Sequence, residues 1–220
     1  MDLQARMKCA ARTSRQRGAI TVLTGALAWS IAGVCCAKAQ SLAGFRIGEA
    51  AAKLKPLGDP AATAPDGDYR NQKWTLPTGN DLAVTTSPDG LIVFLESDSG
   101  GKDADPGCDL PGLKFGSTTL TDLRKRFGSG GFGFQNRSTA IESDDGGTVM
   151  MNSYEVGTNV VTFITRVSKD DYARSKDPSA KVDLAGHARL DAIMISDSQY
   201  AIREWGPRIY GADYKKIEWK

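Results

Sequence analysis

Histidine is almost missing from this chain. His187 is the only one, in an ordinary Gly186-His187-Ala188 context. A catalytic cysteine would want histidine as its base, and a histidine-based metal site would have to draw most of its ligands from carboxylates. Cysteine is scarce in the part that matters. Of the 4 cysteines, Cys9, Cys35 and Cys36 lie in the first 36 residues, which leaves Cys108 alone in the remainder. A lone cysteine forms no internal disulfide, and it is either a small buried hydrophobe or a free thiol open to intermolecular pairing. Nucleophile elbow, phosphate-binding loop with its lysine, H-E-x-x-H pair and Cys/His metal spacing are all absent after residue 39. No cofactor and no metal site is expected, and no residue is singled out as catalytic.

What is present begins with a leader. Arg6, Lys8, Arg12, Arg15 and Arg17 precede an uncharged run, Ala19 to Cys36, and then Ala37-Lys38-Ala39. A basic region, an apolar region and an A-x-A site describe a secretory signal peptide, so residues 1–39 are predicted to be cleaved after Ala39. The rivals are an uncleaved anchor, for which the run just meets the roughly 18-residue criterion, and a lipoprotein, for which Val34 before Cys35 is a poor fit. Cleavage leaves no integral membrane span and places the protein in the periplasm or outside the cell. It also changes the charge. The leader holds six of the 28 basic residues and one of the 26 acidic ones, so 22 basic face 25 acidic residues in the rest, a net of −3. A nucleic acid is not an expected partner of such a surface.

Phe115 to Gly128 (FGSTTLTDLRKRFG) organises the remainder. Leu120, Leu123 and Phe127 form one apolar stripe of a short helix, Thr119 and Asp122 approximate a capping box, and Arg124, Lys125 and Arg126 suit the negative end of its dipole. Gly128 supplies the left-handed stop. Phe45 to Gly58 (FRIGEAAAKLKPLG) is a looser copy, with Ala51, Leu54 and Leu57 on its apolar side and Pro56 limiting its length. After each helix comes a set of strands: Tyr69–Leu76, Asp81–Thr86 and Leu91–Glu96 in the first half, then Thr148–Val156, Val160–Val167 and Leu190–Ser196 in the second. Residues 59–68 read as a loop. In Leu91–Glu96, strict alternation puts Leu91, Val93 and Leu95 on one face and Ile92 and Phe94 on the other. Ser97-Asp98-Ser99 and Ser196-Asp197-Ser198 close the corresponding strands of the two halves.

The predicted fold class is α+β, with two tandem units, each a short helix packed on a three- or four-stranded antiparallel β-meander. The first unit spans 40–107. The second spans 108–199 with an insertion at 168–188, and 200–220 is an aromatic C-terminal tail that either packs across a sheet or lies exposed. Two tempting motifs are set aside. Gly128 to Gly133 satisfies G-x-G-x-x-G but follows a helix and enters a strand, the reverse of the dinucleotide context. Asp98, Asp103 and Asp105 lack calcium-loop spacing.

Aromatic placement is the remaining signal. Trp74 lies in the first strand of the first unit and Tyr154 in the equivalent place of the second, with Phe94, Phe132 and Phe134 nearby. These rings either fill the core or form a sheet face that binds another protein, since Trp and Tyr give large contact area at little entropic cost.

The pattern G-x-[ST]-x-x-x-[LV]-x-x-x-[LF]-G, carried here by Gly116, Ser117, Leu120, Leu123, Phe127 and Gly128 and less well by Gly48, Leu54, Leu57 and Gly58, resembles the outer-membrane assembly lipoproteins of the BamE (SmpA/OmlA) group. Two such units in tandem resemble the secreted beta-lactamase inhibitor proteins. The resemblance implies an α+β fold and a binding role rather than catalysis, with another envelope or secreted protein as partner. The alternatives are a small hydrolase using paired carboxylates or Cys108, and a carrier of a small apolar ligand.

Overall fold

The computed structural model describes residues 40–100, 105–143, 145, 147–177 and 179–217. The predicted leader and its cleavage site lie outside them, as does Asp103. The fold is α+β, mostly antiparallel sheet with a few short helices. A two-stranded ribbon, β1 (Ser41–Leu42) with β2 (Phe45–Arg46), precedes a 3-10 helix at Ala51–Leu57. The next strands are β3 (Ala62–Asp66), β4 (Tyr69–Thr75), β5 (Asp81–Thr86) and β6 (Ile92–Asp98). Helix α1 (Leu120–Phe127) leads to β7 (Phe132–Phe134), β8 (Ala140–Glu142), β9 (Thr148–Val156) and β10 (Asn159–Val167). Helices α2 (Lys169–Ser175) and α3 (Leu184–His187) occupy the segment expected as an insertion. Strand β11 (Arg189–Asp197), helix α4 (Ser198–Trp205) and β12 (Arg208–Tyr210) complete the described chain.

One sheet of 10 strands runs β12-β7-β9-β10-β11-β6-β5-β4-β3, with β8 paired to β9 outside this path. It is larger than the separate three- or four-stranded meanders expected, because β11 pairs directly with β6 and fuses them. The register of that seam is symmetric about Met194 opposite Glu96: Ala192 faces Asp98 and Phe94 faces Ser196, while Ile193 faces Ser97 and Leu95 faces Ile195. Both seam strands carry an irregularity at matching places, one leaving Val93 unpaired between Ile92 and Phe94, the other leaving Asp191 unpaired between Leu190 and Ala192.

A bulge reverses the alternation beyond it. Ile92 therefore shares the buried face with Leu95, not with Phe94 as strict alternation required. The seam pairs Ser97 with Ile193 and Ser196 with Phe94, so the two Ser-Asp-Ser triplets do not face one another.

Matching hydrogen bonds attach each helix to its half of the sheet. Gly48 N donates to Ile92 O and Ala51 N to Gly90 O, while Gly116 N donates to Leu190 O and Leu120 N to Ala188 O. The first helix is 3-10 because Pro56 cannot donate and crowds the preceding turn. Helix α1 has the capping expected of its sequence. Thr119 Oγ1 accepts from Asp122 N at 3.0 Å, Asp122 accepts from Thr119 N at 2.9 Å, and Gly128 closes the helix in the left-handed region at φ 69°.

Both helices lie on one face of the sheet. Leu54, Leu123, Leu82, Leu95, Phe163, Ile193 and Ile195 form one continuous core there. Phe127 stacks on Phe163 at 5.2 Å and meets Tyr154 at 5.0 Å, so rings fill the space in which a small apolar ligand was one expectation. No helix among the described residues is long and apolar enough to cross a membrane.

Residues 62–66, expected as loop, form β3. As an edge strand it bonds on one side only, which tolerates Pro65. Trp74 and Tyr154 each carry a polar tip into this core and use it alike: Trp74 Nε1 donates to Gly58 O at 3.1 Å and Tyr154 Oη to Ser129 O at 2.9 Å. Each ties the chain just past its helix to the sheet. Burial pushes the Tyr154 phenol up to about 12, so it stays a donor at neutral pH. Tyr154→Phe leaves the Ser129 carbonyl without that donor, and we expect a loss of about 1–2 kcal/mol in urea unfolding.

Candidate functional site

The aromatic residues picked out from the sequence divide between the two sheet faces. Trp74 and Tyr154 lie under the helices, 5% and 0% exposed. Phe94, Phe132 and Phe134 lie on the opposite face, with Phe132 and Phe134 buried and Phe94 partly so. That face is not an open aromatic surface. Helix α4 lies across it, capped by Asp197, which accepts from Gln199 N and Tyr200 N, and its Tyr200, Ala201 and Trp205 turn inward.

The result is a line of touching rings, Tyr69–Tyr200–Phe94–Trp205–Phe134–Phe132–Tyr210, with centroid spacings of 5.2–6.2 Å. Arg203 stands 4.0 Å above Tyr69 and Arg137 stands 4.2 Å above Trp205. The C-terminal segment, expected to cross a sheet or lie exposed, supplies both the helix and several rings. Asp197 before a run with inward positions 200, 201 and 205 was the available sign of a capped helix.

One carboxylate under α4 responds to pH. Burial raises the Glu204 pKa first, the charge of Asp66 adds to it, and Arg203 opposes at 3.3 Å. A carboxylate with a raised folded-state pKa contributes stability that is fully present below the unfolded glutamate pKa and lost as pH rises through the folded value. We therefore expect Glu204→Gln to raise Tm by a few degrees at pH 7 and to leave it unchanged near pH 4. An exposed-type pair with Arg203 contributes too little to reverse that sign.

A concavity lies elsewhere, at the C-terminal end of α1. It is an open groove of about 690 Å³ lined by Thr121, Arg124 and Lys125 of α1, the glycine turn Gly128-Ser129-Gly130, Ala185 of α3, and Asp213. The turn is held from three sides. Tyr154 binds the Ser129 carbonyl, Asn152 Nδ2 donates to Gly130 O at 2.6 Å, and Gly130 N donates to Asp213 Oδ2 at 3.0 Å. Position 131 continues the turn at φ 81°, close against β9.

The three cations of α1 have separate fates. Arg126 donates to Pro111 O at 2.7 Å and lies beside Phe127, which makes it a strut. Arg124 and Lys125 are exposed, and neither side chain forms an ion pair or hydrogen bond among the described residues, while the charge of Lys125 helps hold the Asp122 carboxyl below its usual range. The groove thus gathers two exposed cations, one carboxylate and a glycine turn whose peptide groups are already hydrogen-bonded. Sequence reading assigned the whole basic run to the helix dipole, and residues 121, 130, 185 and 213 meet only through the fold.

No protein-family model matches this chain. No curated protein matches it either. Among solved structures, an extracellular protein containing an SCP domain from Bacillus anthracis str. Ames is similar at a TM-score of 0.37 and 11% identity, over 90% of this chain. The chain spans 56% of that structure.

The other residues weighed for chemistry sit apart from the groove. Cys108 is half-buried against the core, and its thiol donates to Leu110 O at 3.5 Å. Burial, with the charges of Asp105 and Asp109, pushes its pKa up to about 11, so at neutral pH it is a thiol rather than the nucleophilic thiolate. His187 Nδ1 lies 3.4 Å from Asp171 Oδ1 on the exposed insertion. Arg166 joins Asp145 and Asp191 at 3.3 and 3.1 Å, which uses that pair of carboxylates in a surface ion network.

Proposed function

We propose that the chain is an exported, non-enzymatic protein-binding module, acting in the periplasm or outside the cell, and that the groove at the end of α1 is its binding surface. The observation that carries this reading is the pair of unpaired cations, Arg124 and Lys125, set against a pinned glycine turn in an open groove. The turn is already pinned, so binding there has to order only the two exposed side chains. Export rests on the leader within residues 1–39.

A duplicated helix-plus-meander origin, of the kind seen in the resemblance to the BamE group and the tandem inhibitor proteins, is supported by the symmetric seam, the two matching bulges and the paired roles of Trp74 and Tyr154. In this chain the aromatic face is covered by α4, and the groove lies apart from it.

A photo-cross-linking amino acid at position 121, in the chain exported by its own leader, tests the reading. One envelope or secreted protein recovered at that position, and absent when the cross-linker sits at position 78 on the β4–β5 turn, is the expected result. Cross-links to no protein, or turnover on a panel of hydrolase substrates, would overturn it, and a chain retained in the cytoplasm would overturn the proposed location.

A further inference from the structure

We infer that the groove recognises an acidic, extended peptide segment of the partner, with Arg124 and Lys125 pairing its carboxylates and Asp213 accepting from its backbone N–H groups. This rests on the protein-binding reading above and names the chemistry of the partner. Each element of the groove answers to one property of such a segment. Gly128 and Gly130 have no side chains, so a second backbone can approach the floor closely, and a Cβ at position 128 would meet nothing within 4 Å. Arg124 and Lys125 are adjacent on α1 and both reach the groove, which suits two carboxylates on one strand better than a single compact anion.

Asp213 decides between anions. Its Oδ2 is held by Gly130 N, so a negative charge is fixed in the same groove as the cations. A phosphate or polyphosphate is charged on every side and is repelled there. A peptide offers neutral N–H donors to that carboxylate and its own carboxylates to the cations. The net charge after residue 39 is −3, so the acidic peptide is not drawn to the chain as a whole, and its attraction depends on local cations such as these two. Helix α3 supplies the Ala185 wall, which gives the 168–188 segment a role in shaping the site.

The test uses a fluorescein-labelled octapeptide of alternating glutamate and alanine, with a glutamine-for-glutamate control, read by anisotropy on the full chain. The glutamate peptide should bind and the glutamine peptide should not. Arg124→Glu with Lys125→Glu should weaken binding at least about tenfold, and Asp213→Asn, which still accepts from Gly130 N but loses the charged acceptor for the peptide's N–H groups, should weaken it about threefold. Losses in affinity from both, with unchanged urea midpoints, are not what a merely structural role would give. If the double reversal fails to fold, the paired Arg124→Gln and Lys125→Gln changes and the salt dependence of the unaltered chain supply the same readout.

Equal binding of both peptides, no loss on charge reversal, or displacement of the peptide by inorganic phosphate at equal charge would overturn the proposal. The two readings fail separately. A partner cross-linked at position 121 whose capture survives Arg124→Glu with Lys125→Glu sinks the acidic-peptide proposal and leaves the binding module standing. Peptide binding that follows the charge pattern, with no protein captured from extract, supports the groove chemistry and removes the module.

Discussion

Phe163→Ala is expected to be among the most destabilising substitutions in this protein, costing about 3–5 kcal/mol. Phe163 is fully buried in β10, stacked on Phe127 and in contact with Tyr154, so alanine opens a cavity beneath α1 that neighbouring strands cannot close. The same core contains Leu82 and Leu95 of β5 and β6 with Ile193 and Ile195 of β11. Because the core crosses the β11–β6 seam, the loss should reach both halves. Urea unfolding followed by tryptophan fluorescence, which reports partly from Trp74 in the first half, and by far-UV circular dichroism should give one transition, shifted together in the variant. A Trp74 signal unmoved by Phe163→Ala would mean that the two meanders unfold independently, against the continuous core.

Much of this fold was legible before any coordinates. The strands at 69–76, 81–86, 148–156 and 160–167 form within a residue of the expected bounds, because β-branched and aromatic runs bounded by turn residues mark strands even where both faces are buried. The capping box at Thr119 and the stop at Gly128 form as read, since capping is local chemistry.

What failed was non-local. Bulges at Val93 and Asp191 arise from pairing with neighbouring strands and leave no mark in a six-residue window, so the alternation of β6 was misplaced. The fusion of the meanders depends on β11 meeting β6 across nearly a hundred residues. For the aromatic residues two readings stood, core or open face, and which applies to Phe94 and Phe134 depends on α4, a helix of eight residues encoded at the far end of the chain. The groove was illegible for the same reason. Only its basic run could be seen, and the helix dipole was a sufficient explanation of it until Arg126 separated from Arg124 and Lys125.

Gly131→Ala is the second large effect, and it links stability to the groove. Gly131 has φ 81°, where an L-residue is strained, and a Cβ there would stand 2.7 Å from Ser153 O and 3.2 Å from both Ser153 N and the Tyr154 ring. Those neighbours belong to β9, a strand paired on both sides, and cannot withdraw. The turn itself must move, which stretches the Tyr154 bond to Ser129 and the Asn152 bond to Gly130. We expect a loss of about 2–4 kcal/mol, measured as a lowered urea midpoint with unchanged slope. Gly128→Ala provides the comparison. It has the same sign of φ but open space around its Cβ, so only the backbone penalty of about 1 kcal/mol applies. In Gly131→Ala the floor of the groove shifts while Arg124 and Lys125 remain on α1, so the acidic octapeptide should lose affinity but keep its salt dependence. Retained affinity with a lowered midpoint would place the peptide on the cations alone, without the turn.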